Sequence, residues 1–433
     1  MRKIIFALIG CFVAICAHAA QVVNVDYVHK LIAQKWDISV PIKTNNIMAV
    51  ANMKYLLTTV DVANEILNGE KTTDYGNGEF ATLQVADTVA TNQAVETLIK
   101  KEIEYEFFLT TTSDTDSFSF SISAAGEFVV DWGDGTVETI TKPGIITKTY
   151  SHNYTTAGAY TIGLSGQATA YNNDEYTAEY TAAIRFSSSA GKIASIDGSL
   201  GAIFGTLSSD TNNQPRFYRT FYNATNMTGS IPANLFTGIS GAPASSMFSG
   251  TFSDCSGLTS IPAGLFAGIS GAPAEGMFAS TFSGCSGLTG AIPDGLFAGI
   301  SGAPAEGMFN STFYGCSGLT GAIPDGLFAG ISGAPAEYMF NGTFYGCSGL
   351  TSIPENLFGN ISGTAQSNMF SETFYKCTSL TGPSARINGQ YLYEIWPSED
   401  GRYVGNMYAG CTGLSDYSSI SYPWKPMSDD EPL

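Results

Sequence analysis

The stretch LTGAIPDGLFAGISGAPAEYMFNGTFYGCSG, residues 319–349, decides how this chain is read. It opens on Leu319 and a short extended edge at Ile323-Pro324. Leu327, Phe328 and Ile331 follow at three- and four-residue spacing, pointing inward. Ser332-Gly333-Ala334-Pro335 reads as a turn, with Pro335 at the first position of a helix. Glu337 falls in the first helical turn, where a carboxylate favours the helix dipole. Met339, Phe340, Phe344 and Cys347 then make an apolar stripe at helical period, and Gly349 ends it.

The stretch is one of a series. Cys255, Cys285, Cys316, Cys347 and Cys377 are separated by 30, 31, 31 and 30 residues, and Ala224 holds the cysteine position one step earlier. The one-residue difference comes from a single corner, Leu-Thr-Ser-Ile-Pro in two coils and Leu-Thr-Gly-Ala-Ile-Pro in two others. Near-identical coils span Leu258 to Leu380. Degenerate ones flank them at Ile193, Ile196, Leu200 and Phe204, and at Met407-Tyr408-Ala409-Gly410-Cys411. Stacking such units aligns Phe252, Phe282, Phe313, Phe344 and Phe374 in one column and Phe236, Phe266, Phe297, Phe328 and Phe358 in another. Each buried Phe contributes roughly 1.5–3 kcal/mol, which one isolated coil cannot set against its ordering entropy.

On Leu350, Ile353, Pro354, Leu357, Phe370, Phe374 and Cys377 and their counterparts, the pattern resembles the BspA-like leucine-rich repeats of bacterial surface proteins. The stretch Ala-Gly-Ile-Ser-Gly-Ala-Pro-Ala-Glu is longer than that family's usual connector. The resemblance implies a binding or adhesion role outside the cell.

Upstream the patterning changes. Arg2 and Lys3, the apolar run Ile4 to Ile15 and Ala17-His18-Ala19 read as a signal peptide cut after Ala19, with a lipoprotein box ending at Cys11 as the weaker alternative. Val25, Val28, Ile32 and Trp36, then Ile47, Val50, Leu57, Val60 and Leu67, recur at helical spacing. From Glu106 the pattern alternates, and Asp134-Gly135 sits between β-rich runs as a hairpin turn. The Trp132-Gly133-Asp134-Gly135-Thr136 turn, His152-Asn153-Tyr154 and Gly158-Ala159-Tyr160 resemble a PKD-type β-sandwich, a resemblance that implies core roles for Trp132 and Tyr160. The expected fold is α+β and multidomain. It comprises a signal peptide (1–19), a helical N-terminal region (20–105), a PKD-like β-sandwich (106–187) and a leucine-rich-repeat-like α/β solenoid with degenerate capping coils (188–433).

Composition narrows the function. With 38 acidic against 19 basic residues the chain repels nucleic acid and anionic lipid. No run after the leader approaches a membrane span. Only His29 and His152 follow the leader, so a histidine-rich metal site is excluded, and no phosphate loop, dinucleotide fingerprint or nucleophile elbow is present. Asp131 with Asp134 is the closest acid pair, in a hairpin. No catalytic residue, cofactor or metal site is therefore assigned. The cysteine column admits buried thiols, disulfides or a metal. Parallel side chains seldom satisfy the S–S torsion and no His is near, which favours thiols. The acids stack too, Asp294 with Asp325 and Glu355, and Glu275 with Glu306 and Glu337; solvation is the default there and weak Ca²⁺ binding the alternative.

Beside the inward Phe lies a variable column, Tyr222, Ser253, Ser283, Tyr314, Tyr345 and Tyr375. Tyrosine offers large contact area at low entropic cost, so Tyr314, Tyr345 and Tyr375 are the candidate partner contacts. The expectation is a secreted or cell-surface protein, not an enzyme, that binds a host or microbial surface protein. Glycan binding, or a structural surface component without a discrete ligand, are the alternatives.

Overall fold

The computed structural model describes residues 105–172, 181–207, 214–397 and 404–426. The expected signal peptide, the lipidation alternative at Cys11 and the helical region from residue 20 to 104 lie outside the described residues.

Alternation of apolar and polar residues builds eight strands: β1 (Phe107–Thr111), β2 (Thr115–Ile122), β3 (Ala125–Asp131), β4 (Val137–Lys142), β5 (Lys148–Gly158), β6 (Thr161–Ala170), β7 (Ile184–Arg185) and β8 (Ile193–Gly198). They form two antiparallel sheets, one ordered β4-β3-β6-β1-β8 and one ordered β5-β2-β7. Phe118, Phe120 and Ile122 of β2 and Phe128 and Val130 of β3 are buried, at the two-residue period a pleated strand requires. Gly133 and Gly135, at φ 88° and 97°, shape the turn between β3 and β4, where no side chain would sit without strain.

The expected α+β architecture, with its α/β solenoid, is overturned. The described residues are mostly strand and turn. Their helices are two four-residue α-helices, Leu200–Ile203 and Leu392–Ile395, and two short 3₁₀ segments, Ser187–Lys192 and Tyr417–Ser419. None lies in the near-identical coils. The segment after Pro335 is a run of four-residue turns. Every fourth residue has positive φ: Tyr338 (53°), Gly342 (59°) and Gly346 (68°), and one coil earlier Gly307 (55°), Ser311 (55°) and Gly315 (70°). A right-handed helix cannot accommodate such residues.

The amides show where the hydrogen bonds go instead. Thr343, Tyr345 and Cys347 N–H bond back to the carbonyls of Phe340, Gly342 and Phe344, at 3.2, 3.0 and 3.0 Å. The alternate donors Phe344 and Gly346 reach forward to Thr373 and Tyr375 of the next coil, at 2.9 and 2.7 Å. A helix would use all of these donors within the segment. Here two of the five join the neighbouring coil. On another edge the coils meet through parallel pairings of two or three residues, such as Ser332–Gly333 with Asn360–Ile361.

The apolar columns fill the interior. Phe252, Phe282, Phe313, Phe344 and Phe374 stack at successive centroid distances of 5.7, 5.5, 5.6 and 5.5 Å. Phe236, Phe266, Phe297 and Phe328 stack at 5.9 Å per step, with Phe358 a further 6.3 Å on. The core is continuous with the sheets, since Phe186 stacks on Phe221 at 5.4 Å and on Phe107 at 5.9 Å. Ile193 and Ile196 lie in β8, which pairs with β1 and also meets the first coil, its Ala194 carbonyl accepting the Thr228 amide at 2.9 Å as Thr259 O accepts the Thr289 amide between later coils. The far end is covered by Tyr408 stacked on Phe374 at 5.8 Å, and by Trp424 on Tyr408 at 6.3 Å.

Candidate functional site

The turn run dictates which side chains face out. Phe344 and Cys347 point inward and are fully buried, which leaves Tyr345 between them on the outer surface. Tyr314, Tyr345 and Tyr375 therefore stack as a ladder, with ring centroids 4.2 and 4.6 Å apart and planes 14° and 17° from parallel. Exposure falls along it. Tyr314 is 38% exposed, Tyr345 half-buried and Tyr375 only 3% exposed, with the Lys376 ammonium over its ring. Burial, then a hydrogen bond shared with Tyr314, pushes the Tyr345 phenol up to about 12, so that ring is uncharged at neutral pH.

The structure thus brings the three predicted tyrosines together but presents mainly Tyr314 and the edge of Tyr345. Tyr222, in the same column, is apart from them and carries the Arg219 guanidinium over its ring. Sequence reasoning missed Tyr338. It is 37% exposed and held at φ 53°, where the preceding coils have Gly276 and Gly307. A bulky residue in that backbone region costs stability, and the sequence signal was this departure from glycine in otherwise matching coils.

The cysteine column is structural. Cys255, Cys285, Cys316, Cys347, Cys377 and Cys411 are free and buried. Each thiol points at a carbonyl of the preceding coil, as Cys347 Sγ does at Phe313 O, 3.1 Å away. Burial raises these thiols far from reactivity, to about 12 for Cys255 and Cys411. A second column that the sequence reading overlooked does the same more strongly. Thr251, Thr281, Thr312, Thr343 and Thr373 are fully buried, and the Thr343 hydroxyl lies 2.8 Å from Phe340 O and 2.9 Å from Phe309 O.

His152 serves the sheets. Its Nε2 lies 2.7 Å from Asp134 Oδ2 and its ring stacks on Trp132 at 5.2 Å, which fastens the β3–β4 turn to β5. Burial works against ionisation of Asp134, but His152 and the Thr136 amide hold its carboxyl below the ordinary value. Asp131 accepts the Gly133 amide at 2.9 Å, a turn-forming role. Tyr160 stacks on Tyr154 at 3.7 Å and is partly buried. Asp294, Asp325, Glu355, Glu275, Glu306 and Glu337 are all exposed, and Glu355 pairs with Arg386 at 3.6 Å. Among the described residues no group of three or more His, Cys, Asp or Glu side chains could hold a metal ion.

Comparison with protein-family models, with curated proteins and with solved structures finds no match to this chain. No helix among the described residues is long and apolar enough to cross a membrane.

Proposed function

We propose that this chain is a secreted or surface-held binding protein whose coil face captures a partner protein. The observation that carries the reading is the placement of Tyr314, Tyr345 and Tyr338 on the outside of their coils, at positions where the two preceding units have Ser253 and Ser283, or Gly276 and Gly307. The core needs none of these rings. Tyr338 is kept at a backbone cost that glycine would remove, which is how a recognition residue is expected to behave. The leader-like N-terminus and the resemblance to BspA-like surface repeats support a location outside the cytoplasm. The test is capture of partners from host-surface and bacterial-envelope extracts by the full chain and by a Tyr314→Ser/Tyr345→Ser variant. Partner capture lost with unfolding unchanged supports the reading, and capture that is equal in both rejects it. A Tyr338→Gly change is expected to raise stability by about 1 kcal/mol while weakening capture.

A further inference from the structure

The outer face of the turn run is laid out in columns, because each coil sets a residue over its counterpart in the next. One column runs Arg219, Gly250, Ser280, Ser311, Gly342 and Glu372. All six hold φ between 53° and 61°, so the two large end residues stand on a backbone that favours glycine. Arg219 is exposed, with its guanidinium over the Tyr218 and Tyr222 rings at 5.1 and 5.0 Å, and Glu372 is half-buried. Among the described residues neither side chain has an ion-pair partner. The rings beneath them, Phe221 to Phe374, climb in steps of 5.5–5.7 Å, so these two charges are too far apart to meet within one chain. From either end the column reads as the same small residues, closed by opposite charges.

The flanking columns carry matching relief. In one, Ser253 and Ser283 precede Tyr314 and Tyr345; in the other, Ser246 and Gly276 precede Gly307 and Tyr338. The rings stand out, Tyr314 at 38% and Tyr338 at 37% exposed, whereas Ser246 and Ser253 are recessed at 7%. Laying the coils against the same coils in reverse order sets Tyr314 opposite Ser283, Tyr345 opposite Ser253 and Tyr338 opposite Ser246. Asp254 falls opposite Gly346 and Lys376 opposite Asn223, so no like charges meet.

A surface that fits its own reversal suits a second copy. We infer that this face joins two copies of the chain, antiparallel, about a two-fold axis that crosses the coils between Ser280 and Ser311. Arg219 of each copy meets Glu372 of the other, and the contact occurs twice, as a closed two-fold interface requires. Each protruding ring enters a recess floored by serine, and the small residues at the axis let the two backbones approach. The parallel arrangement is disfavoured because it sets Arg219 on Arg219, Glu372 on Glu372 and ring on ring. The inference shares its face with the partner-capture reading and stands without it.

The test is sedimentation equilibrium of the full chain from about 1 μM to about 1 mM, with Arg219→Glu, Glu372→Arg and the two changes combined. Each change installs a residue that the column already carries at nearly the same φ, so folding is retained. The parent is expected to dimerise within this range. Either single change sets like charges opposite in both contacts and is expected to weaken the dimer about tenfold or more, and the combined exchange to restore it. The two single variants, mixed, are expected to pair with each other, since one then offers two acids where the other offers two arginines. A parent that stays monomeric throughout, a dimer indifferent to the single changes, or single variants that fail to pair on mixing would each overturn the inference. Capture of a protein by a chain that stays monomeric ends this inference alone. A dimer that captures no protein ends the capture reading alone.

Discussion

Replacing Thr343 with valine tests the turn-run architecture at a point where two expectations have opposite signs. The residue is fully buried, so exchanging its hydroxyl for a methyl of like shape would stabilise an ordinary apolar core. In this fold the hydroxyl is a side-chain link between two coils, 2.8 Å from Phe340 O in its own coil and 2.9 Å from Phe309 O in the one before. It has a single proton to share between them. Both carbonyls keep other donors: Phe309 O the Thr312 hydroxyl at 2.9 Å, and Phe340 O the Thr373 hydroxyl at 2.8 Å. The loss is therefore one partly shared buried bond, about 1–2 kcal/mol, not the larger penalty of a carbonyl stranded without partners. The assay is urea unfolding followed by circular dichroism. The midpoint should fall at unchanged slope, with Thr320→Val on the exposed surface as a control within about 0.5 kcal/mol of the parent. A Thr343→Val protein as stable as the parent, or more so, would refute the account of how the coils are joined.

Three further outcomes are expected. Gly299→Ala should destabilise by about 2 kcal/mol or more in thermal unfolding, because the new Cβ would press into the Ile269 carbonyl oxygen of the preceding coil. The six thiols of the coils should resist iodoacetamide in the native protein and all react in denaturant; modification of Cys347 without unfolding would contradict its burial. Stability should decline on the alkaline side. Tyr345 is pushed up to about 12 from an ordinary 10.0, so between those values the unfolded chain has released a proton that the folded chain keeps. Its contribution is complete below pH 10 and is lost as pH rises through about 12. The check is spectrophotometric titration of tyrosinate, in which Tyr345→Phe should remove a late-ionising group.

The sequence exposed the columns but not the backbone that carries them. Equal spacing of Cys285, Cys316 and Cys347 implied that like side chains meet, and the aligned Phe rings do. The helix expected after Pro335 failed because Met339, Phe340, Phe344 and Cys347 fit a period of 4.0 as well as 3.6. The deciding signal lay between them. Gly307, Ser311 and Gly315 recur every fourth residue, as do Gly276, Ser280 and Gly284, and such residues tolerate positive φ that a helix interior forbids. Thr343 was legible too, as an invariant polar residue inside an apolar stripe, but its role depends on a carbonyl more than thirty residues away. The extent of the tyrosine patch was not legible. Nothing local to Tyr375 foretells that its ring will be 3% exposed while Tyr314 in the same column stays 38% exposed. The strand Ile193–Gly198 was hidden because its partner, β1, lies more than eighty residues earlier.

The coils are joined directionally. Each sends the amides of its turn run to the coil after it, and amides such as Thr320 and Ser332 together with threonine and cysteine side chains to the one before, so its two flat faces differ but each is matched by a sister unit. A gene duplication or loss of one whole unit would leave every such bond with a partner. The molecule can thus change length in steps of thirty or thirty-one residues while its sheet-covered beginning and its Trp424-covered end stay as they are. Among close descendants of one ancestral gene, unit number should vary more freely than the residues inside a unit.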